Sequence, residues 1–212
     1  LVDSYLNADG SVPADKTVYA NRDPRLTATV VYNGYVWKDR NDKGEYVTKG
    51  TINVTSGNDK AGTDNGSPTG FYTRKYFDTT HGKNLEMWTN IIMMRYADVL
   101  LMYAEALAES GGSLGDALEW LNKTRTRAGL DALKAEDIPS KGAFIEALAD
   151  ERGREFALEG HRWFDLVRLG LALDRFHEMG YKLDAHNLLF PIPQNQIEIV
   201  NDKTILWQNP GY

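Results

Sequence analysis

Two glutamates inside an apolar stripe constrain this chain more than any other feature. On a helix starting near Ser140, Phe144, Leu148, Glu151, Glu155, Leu158 and Arg162 recur at 3.6-residue spacing and share one face. A carboxylate on such a face is costly unless it is paired. Arg152, Arg154 and Arg162 lie within a turn, with His161 and Arg168 just beyond. Gly160 is the natural break, after which Trp163, Phe164, Leu166, Val167 and Leu169 restart an apolar run. Two readings meet here. One is an acid/base or metal site built from Glu155, Glu159, His161 and Asp165. The other is a buried ion network of Glu151, Glu155 and Arg162 that fixes how two helices meet at Gly160. The second is preferred, because each acid has an arginine beside it and neither His-Glu-x-x-His nor Glu-x-x-His spacing occurs. This reading assigns no catalytic residue, no metal ligand and no cofactor.

From Ile91 the chain reads as helix, with Ile92, Tyr96, Val99, Tyr103 and Leu107 on one stripe and polar groups confined to Arg95, Asp98, Glu105 and Glu109. A helix so apolar around its circumference is expected to be buried. Ser110-Gly111-Gly112 ends it, and Ser113 with Asp116 three residues on caps the next helix, which carries Leu114, Ala117, Leu118, Leu121 and Ala128 on one face. Helix, glycine turn and helix, with alanine at close-packing positions, is a tetratricopeptide-type pair. One pair cannot bury its face alone, so the 140–159 helix and the 161–169 segment are expected to stack on it.

Residues 1–88 differ, being rich in Asn, Asp, Thr and Gly and holding most of the tyrosines. Leu26–Tyr32 reads as a strand ended by the Asn33-Gly34 turn, and Tyr35–Trp37 with Tyr46–Thr48 reads as a hairpin around Asp42-Lys43-Gly44. Asn58, Asp59, Asp64 and Asn65 carry calcium-type oxygens, but without EF-hand register they read as a solvated loop. At the other end, Leu188–Gln194 must be extended because Pro191 and Pro193 alternate with apolar residues, and a short helix, Asn195–Val200, follows. The expected fold is therefore mainly α: tetratricopeptide-like helix pairs over about residues 90–170, a loop-rich 1–88 region with short strands, and an extended tail. The 1–88 and 89–212 parts are read as one structural unit and as a fragment of a longer chain.

A net charge of −6 argues against nucleic acid as a partner. The absence of cysteine removes disulfides, thiolate metal sites and a cysteine nucleophile.

Four segments together resemble the SusD/RagB family of outer-membrane nutrient-binding lipoproteins: Ile92–Ala106, Glu151–Leu166, Leu189–Gln194 and Gln208–Tyr212, with Asn21–Leu26 fitting just upstream. Gly153 departs from the pattern, where a bulkier residue is common. The resemblance implies an α-helical, tetratricopeptide-like protein. It implies lipid anchoring at the outer membrane, over a TonB-dependent transporter, and binding of oligosaccharide or polysaccharide without processing it. Sugars have apolar faces and polar edges, so the candidate glycan-binding residues are Trp37, Tyr35, Asn33 and Arg74 in the aromatic-rich region, Trp37 foremost. The alternatives are a protein-interaction scaffold of helix pairs and a glycoside hydrolase using a carboxylate pair such as Glu155 and Glu159.

Overall fold

The computed structural model describes residues 1–41, 43–57, 59–64, 66–77 and 89–212. The chain divides into two compact units, Leu1–Gly160 and His161–Tyr212. The expected boundary at residue 88 closes the stretch 78–88, which lies outside the described residues, as do Asp42 of the expected turn and Asn58 and Asn65 of the candidate calcium loop.

The first unit opens with Tyr5, wholly buried, its hydroxyl donating to the Arg154 carbonyl at 3.2 Å. Helix α1 (Pro24–Thr29) follows. This overturns the expected strand Leu26–Tyr32. The Asp23 carboxylate accepts from the Arg25 N–H, and Pro24 occupies the first turn with its φ already set for a helix, so the local start signal outweighs the β-branched composition behind it. Only β1 (Val30–Val31) is extended, and it pairs antiparallel with β4 (Tyr72–Thr73). Between them, β2 (Val36–Arg40) and β3 (Tyr46–Thr51) form the expected hairpin, with a register irregularity at Trp37/Lys38. Tyr5, Leu26, Val30 and Ala157 make the small core beneath this region.

The main core belongs to α2 (Tyr96–Glu109), α3 (Leu114–Arg127) and α4 (Lys141–Glu155). Helix α2 ends in a glycine cap: Gly111 takes φ +78°, and the Gly112 N–H returns to the Leu107 carbonyl at 2.9 Å. Ser113 caps α3 through the Asp116 N–H, and Ser140 caps α4 through the Ala143 N–H. Ala104, Ala108 and Ala117 are buried among Leu101, Leu118, Leu121, Phe144, Leu148 and Phe156; their small side chains let the helices approach closely. The architecture is mainly α with tetratricopeptide-like packing.

Two expectations about burial fail. The α2 stripe read as buried is largely exposed: Tyr96, Val99 and Tyr103 all face solvent, as do Ile91, Ile92, Met93 and Met94 before the helix begins. The buried line is Asp98, Leu101, Ala104 and Ala108 instead. Asp98 is tolerated there because Arg152 donates to it at 2.9 Å. On α4, helical backbone stops at Glu155, before the Gly160 break. Leu158 sits at φ +65° and is 45 % exposed, so it leaves the stripe that Phe144, Leu148, Glu151 and Glu155 do occupy.

The second unit contains α5 (Arg162–Arg168), α6 (Ala172–Glu178) and α7 (Gln194–Val200). Trp163 packs against Phe176 and Phe190, with ring centroids 5.6 and 6.3 Å apart. The extended Leu189–Pro193 stretch has a side-chain partner in place of a strand. Gln208 accepts from the Ile192 N–H (2.7 Å) and donates to the Ile192 carbonyl (2.9 Å), Asn209 donates to the Phe190 carbonyl, and the Tyr212 hydroxyl donates to the Leu189 carbonyl. Pro191 and Pro193 cannot donate, so the terminal Gln-Asn-Pro-Gly-Tyr segment satisfies the backbone that a regular ladder would leave half paired. Among the described residues, no helix is long and apolar enough to cross a membrane.

Candidate functional site

The loop-rich part of the first unit holds an open cleft of about 520 Å³, lined by Thr27, Tyr32, Gly34, Tyr35, Val36, Lys38, Tyr46 and Arg74. That volume falls within the range of small-molecule and saccharide sites. Helix α1 supplies Thr27, whose hydroxyl lies 3.1 Å from that of Tyr32. The chain turns between β1 and β2 with Gly34 at φ +83°, a conformation that suits glycine because it has no Cβ. Gly34 donates to Ile52, and Ile52 donates back to Tyr35, both at 2.9 Å, so the turn is tied to the end of β3. Arg74 follows β4 and donates its backbone N–H to Thr29 at 2.8 Å, which fixes where its side chain starts.

The aromatic residues form a continuous ladder. Tyr19 stacks on Tyr32 (4.1 Å), Tyr32 meets Tyr35 edge-on (5.5 Å), Tyr35 meets Trp37 (6.2 Å), and Trp37 meets Phe77 edge-on (4.8 Å). The Arg74 guanidinium lies 5.4 Å from the Trp37 ring centre, and Arg40 lies 5.0 Å from that of Tyr46. Such geometries favour ring pairs and cation–ring pairs, and they hold the rings rigidly at little entropic cost.

Of the four residues read as glycan-binding, Tyr35 and Arg74 line the cleft. Trp37 touches both of them but is absent from the cleft wall. It is half-buried on the opposite face of β2, because successive strand residues alternate. Asn33 is exposed in the turn, and its side-chain oxygen accepts from the Val54 N–H at 3.1 Å. The sequence reading did not single out Tyr32 or Lys38. The alternation Val36-x-Lys38 across a hairpin could have put Lys38 on a common face with Tyr46.

Glu151 and Glu155 meet in the interior of the same unit, bridged by Arg25, whose Nη1 donates to Glu151 at 2.7 Å and to Glu155 at 2.9 Å. The same guanidinium clasps Asp23. Arg154 and Arg125 complete the surroundings of Glu151. Arg127 and Arg95 complete those of Glu155. Arg95 also holds Glu159, as does Lys75, whose ammonium donates in addition to the Glu155 and Ala157 carbonyls. Arg162 belongs to α5 in the second unit. Arg25, Arg95 and Lys75 come from distant stretches of chain, so local spacing could not name them. Burial alone would push Glu155 and Glu159 up. The hydrogen bonds from Arg95 and Arg25 to Glu155, and from Arg95 and Lys75 to Glu159, outweigh it and hold both below the usual carboxylate range.

The SusD family profile matches residues 1–212. The chain belongs to the SusD family. A SusD-like protein from Bacteroides fragilis superposes with a TM-score of 0.75 at 27 % identity, covering 100 % of this chain and 46 % of that one. A laminarin-binding SusD-like protein superposes with a TM-score of 0.56 at 31 % identity, covering 90 % of this chain and 35 % of its own. The starch-binding protein SusD of Bacteroides thetaiotaomicron is 33 % identical over 132 residues, which is 58 % of this chain and 22 % of that protein. This SusD-family chain thus spans less than half the length of each of these relatives.

Proposed function

We propose that this SusD-family chain binds an oligosaccharide or polysaccharide nutrient without processing it. The observation that carries the reading is the Tyr32–Tyr35–Tyr46 cleft edged by Lys38 and Arg74. Rigid rings offer flat apolar platforms for pyranose faces, while hydroxyl and cationic groups beside them meet the polar edges. The starch- and laminarin-binding relatives support a glycan as the ligand. Non-catalytic binding is supported by the commitment of the Glu155–Glu159 pair. A glycosidase needs one carboxyl that keeps its proton, and Glu155 and Glu159 are instead both held ionised by arginine and lysine. In the longer protein, binding would take place at the cell surface, on a lipid anchor in the outer membrane, and the glycan would pass to a TonB-dependent transporter.

Affinity electrophoresis and calorimetry against a panel of glycans, with chromatography of the incubated glycans, test this. Binding that weakens about tenfold in Tyr35→Ala, with no shortened product, is expected. Released product would establish the hydrolase reading, and indifference to every glycan the scaffold reading. Co-purification of a TonB-dependent transporter with the membrane-bound protein tests the delivery step.

A further inference from the structure

The charges around the cleft are one-sided. Lys38 and Arg74 line it, and among the described residues no Asp or Glu does. Arg40 follows Lys38 by two residues on β2, hence on the same face, and lies over Tyr46, which is its partner across the hairpin. The acid of this strand, Asp39, falls on the other face with Trp37. Among the described residues, the Lys38 side chain has no hydrogen-bond or ion-pair partner. Arg74 uses one nitrogen on the Phe77 carbonyl at 2.8 Å. Three cations therefore line or flank one aromatic cleft in a chain whose net charge is −6, whereas the buried Arg25, Arg125, Arg152 and Arg154 of the same unit are matched by carboxylates.

This bears on ligand chemistry. A neutral sugar presents hydroxyls that donate as well as accept, and is best met by carboxylates and amides alongside donors. Ammonium and guanidinium groups only donate, so their complement is a group that only accepts. Carboxylate and sulfate esters are such groups, and a charge-assisted hydrogen bond to them is roughly twice as strong as a neutral one. Resting on the glycan reading above, we infer that the cleft selects an anionic saccharide, one carrying carboxylate or sulfate groups. Pyranose rings would stack on Tyr35 and Tyr46, and the acid groups would meet Lys38, Arg74 and Arg40. This departs from the uncharged glucans for which the two glycan-binding relatives are named.

Calorimetry on the purified protein with three oligosaccharide sets of matched length tests it: oligogalacturonates, sulfated galactans and maltooligosaccharides, each at 50 and 500 mM NaCl. At least one anionic set is expected to bind tenfold or more tighter than the neutral set at 50 mM, and to lose most of that advantage at 500 mM as the charges are screened. Which anionic set binds distinguishes a planar carboxylate from a tetrahedral sulfate as the recognised group. Lys38→Ala should weaken anionic binding roughly tenfold, the range for one hydrogen bond to a charged group, and weaken neutral binding by a clearly smaller factor. Lys38 is exposed, so thermal melts should show the variant folded. Neutral oligosaccharides binding as tightly as anionic ones, or anionic binding insensitive to both salt and Lys38→Ala, would overturn the charge preference while leaving glycan binding intact. Failure of all three sets to bind would overturn both readings.

Discussion

Glu155 accepts from Arg25, Arg95 and Arg127 with its side chain 2 % exposed, so its removal takes a carboxylate from three guanidiniums at once. Glu155→Ala is expected to cost roughly 3–5 kcal/mol, the range for breaking a buried ion pair from one side; urea unfolding at pH 7 measures it. A loss under about 1 kcal/mol would mean that the network is inert. Trp37 poses a different question. Its ring is packed by Phe77, Tyr35 and Arg74, so Trp37→Ala should lower the melting temperature and weaken glycan binding together. Tyr35→Ala, on the cleft wall, should act mainly on binding. Paired melting and calorimetry on the two variants separate support of the ladder from contact with ligand.

At the level of the element, the C-terminal end of α4 is heavily fastened. Lys75 donates to the Glu155 carbonyl, to the Ala157 carbonyl just past the helix and to Glu159, and Arg95 donates to the Glu155 carbonyl at 2.7 Å while lying over the Phe156 ring. A cation at a helix C-terminus is favourable both through these bonds and through the helix dipole. Lys75→Met keeps the stem but removes the charge, and should cost about 1–3 kcal/mol, less than Glu155→Ala because Arg95 still covers Glu159. The left-handed backbone at Leu158 is the counterpart of this fastening. A β-carbon in that region costs on the order of 1 kcal/mol, so Leu158→Gly is expected to leave stability equal or raise it by up to about 1 kcal/mol, despite the extra freedom glycine adds to the unfolded chain. A clear loss in unfolding free energy would show that the Leu158 side chain, not its backbone, matters.

At the largest scale, the network joins residues 23, 25, 75, 95, 127, 151, 155 and 159, so its protonation is felt across the first unit. Glu155 and Glu159 are held below their ordinary value of 4.5 in the folded state. Their contribution is complete above that value and is lost as pH falls through the lower folded-state values. Stability measured by urea midpoint should therefore be nearly flat from pH 7 to pH 5 and decline below about 4.5. Combining Glu155→Gln with Glu159→Gln should lower the plateau and flatten the acid limb. An unchanged acid limb in the double variant would assign it to other carboxylates.

What the sequence determined by itself is whatever short-range chemistry specifies. The glycine cap after α2, the Ser113 cap, the pairing of β2 with β3 and the extended Pro191–Pro193 stretch each depend on residues a few positions apart. The need for arginine beside Glu151 and Glu155 was equally legible, since an unpaired charge on an apolar face is too costly to persist. Which arginines answer that need was decided only in three dimensions: Arg25 and Arg95 arrive from 126 and 60 residues away. The same holds for burial on α2, where periodicity marks two apolar faces but only the neighbours choose between them. The cleft is tertiary as well. Tyr32, Lys38, Tyr46 and Arg74 become one surface because a hairpin and a two-residue ladder bring together four stretches of chain with no shared local signal.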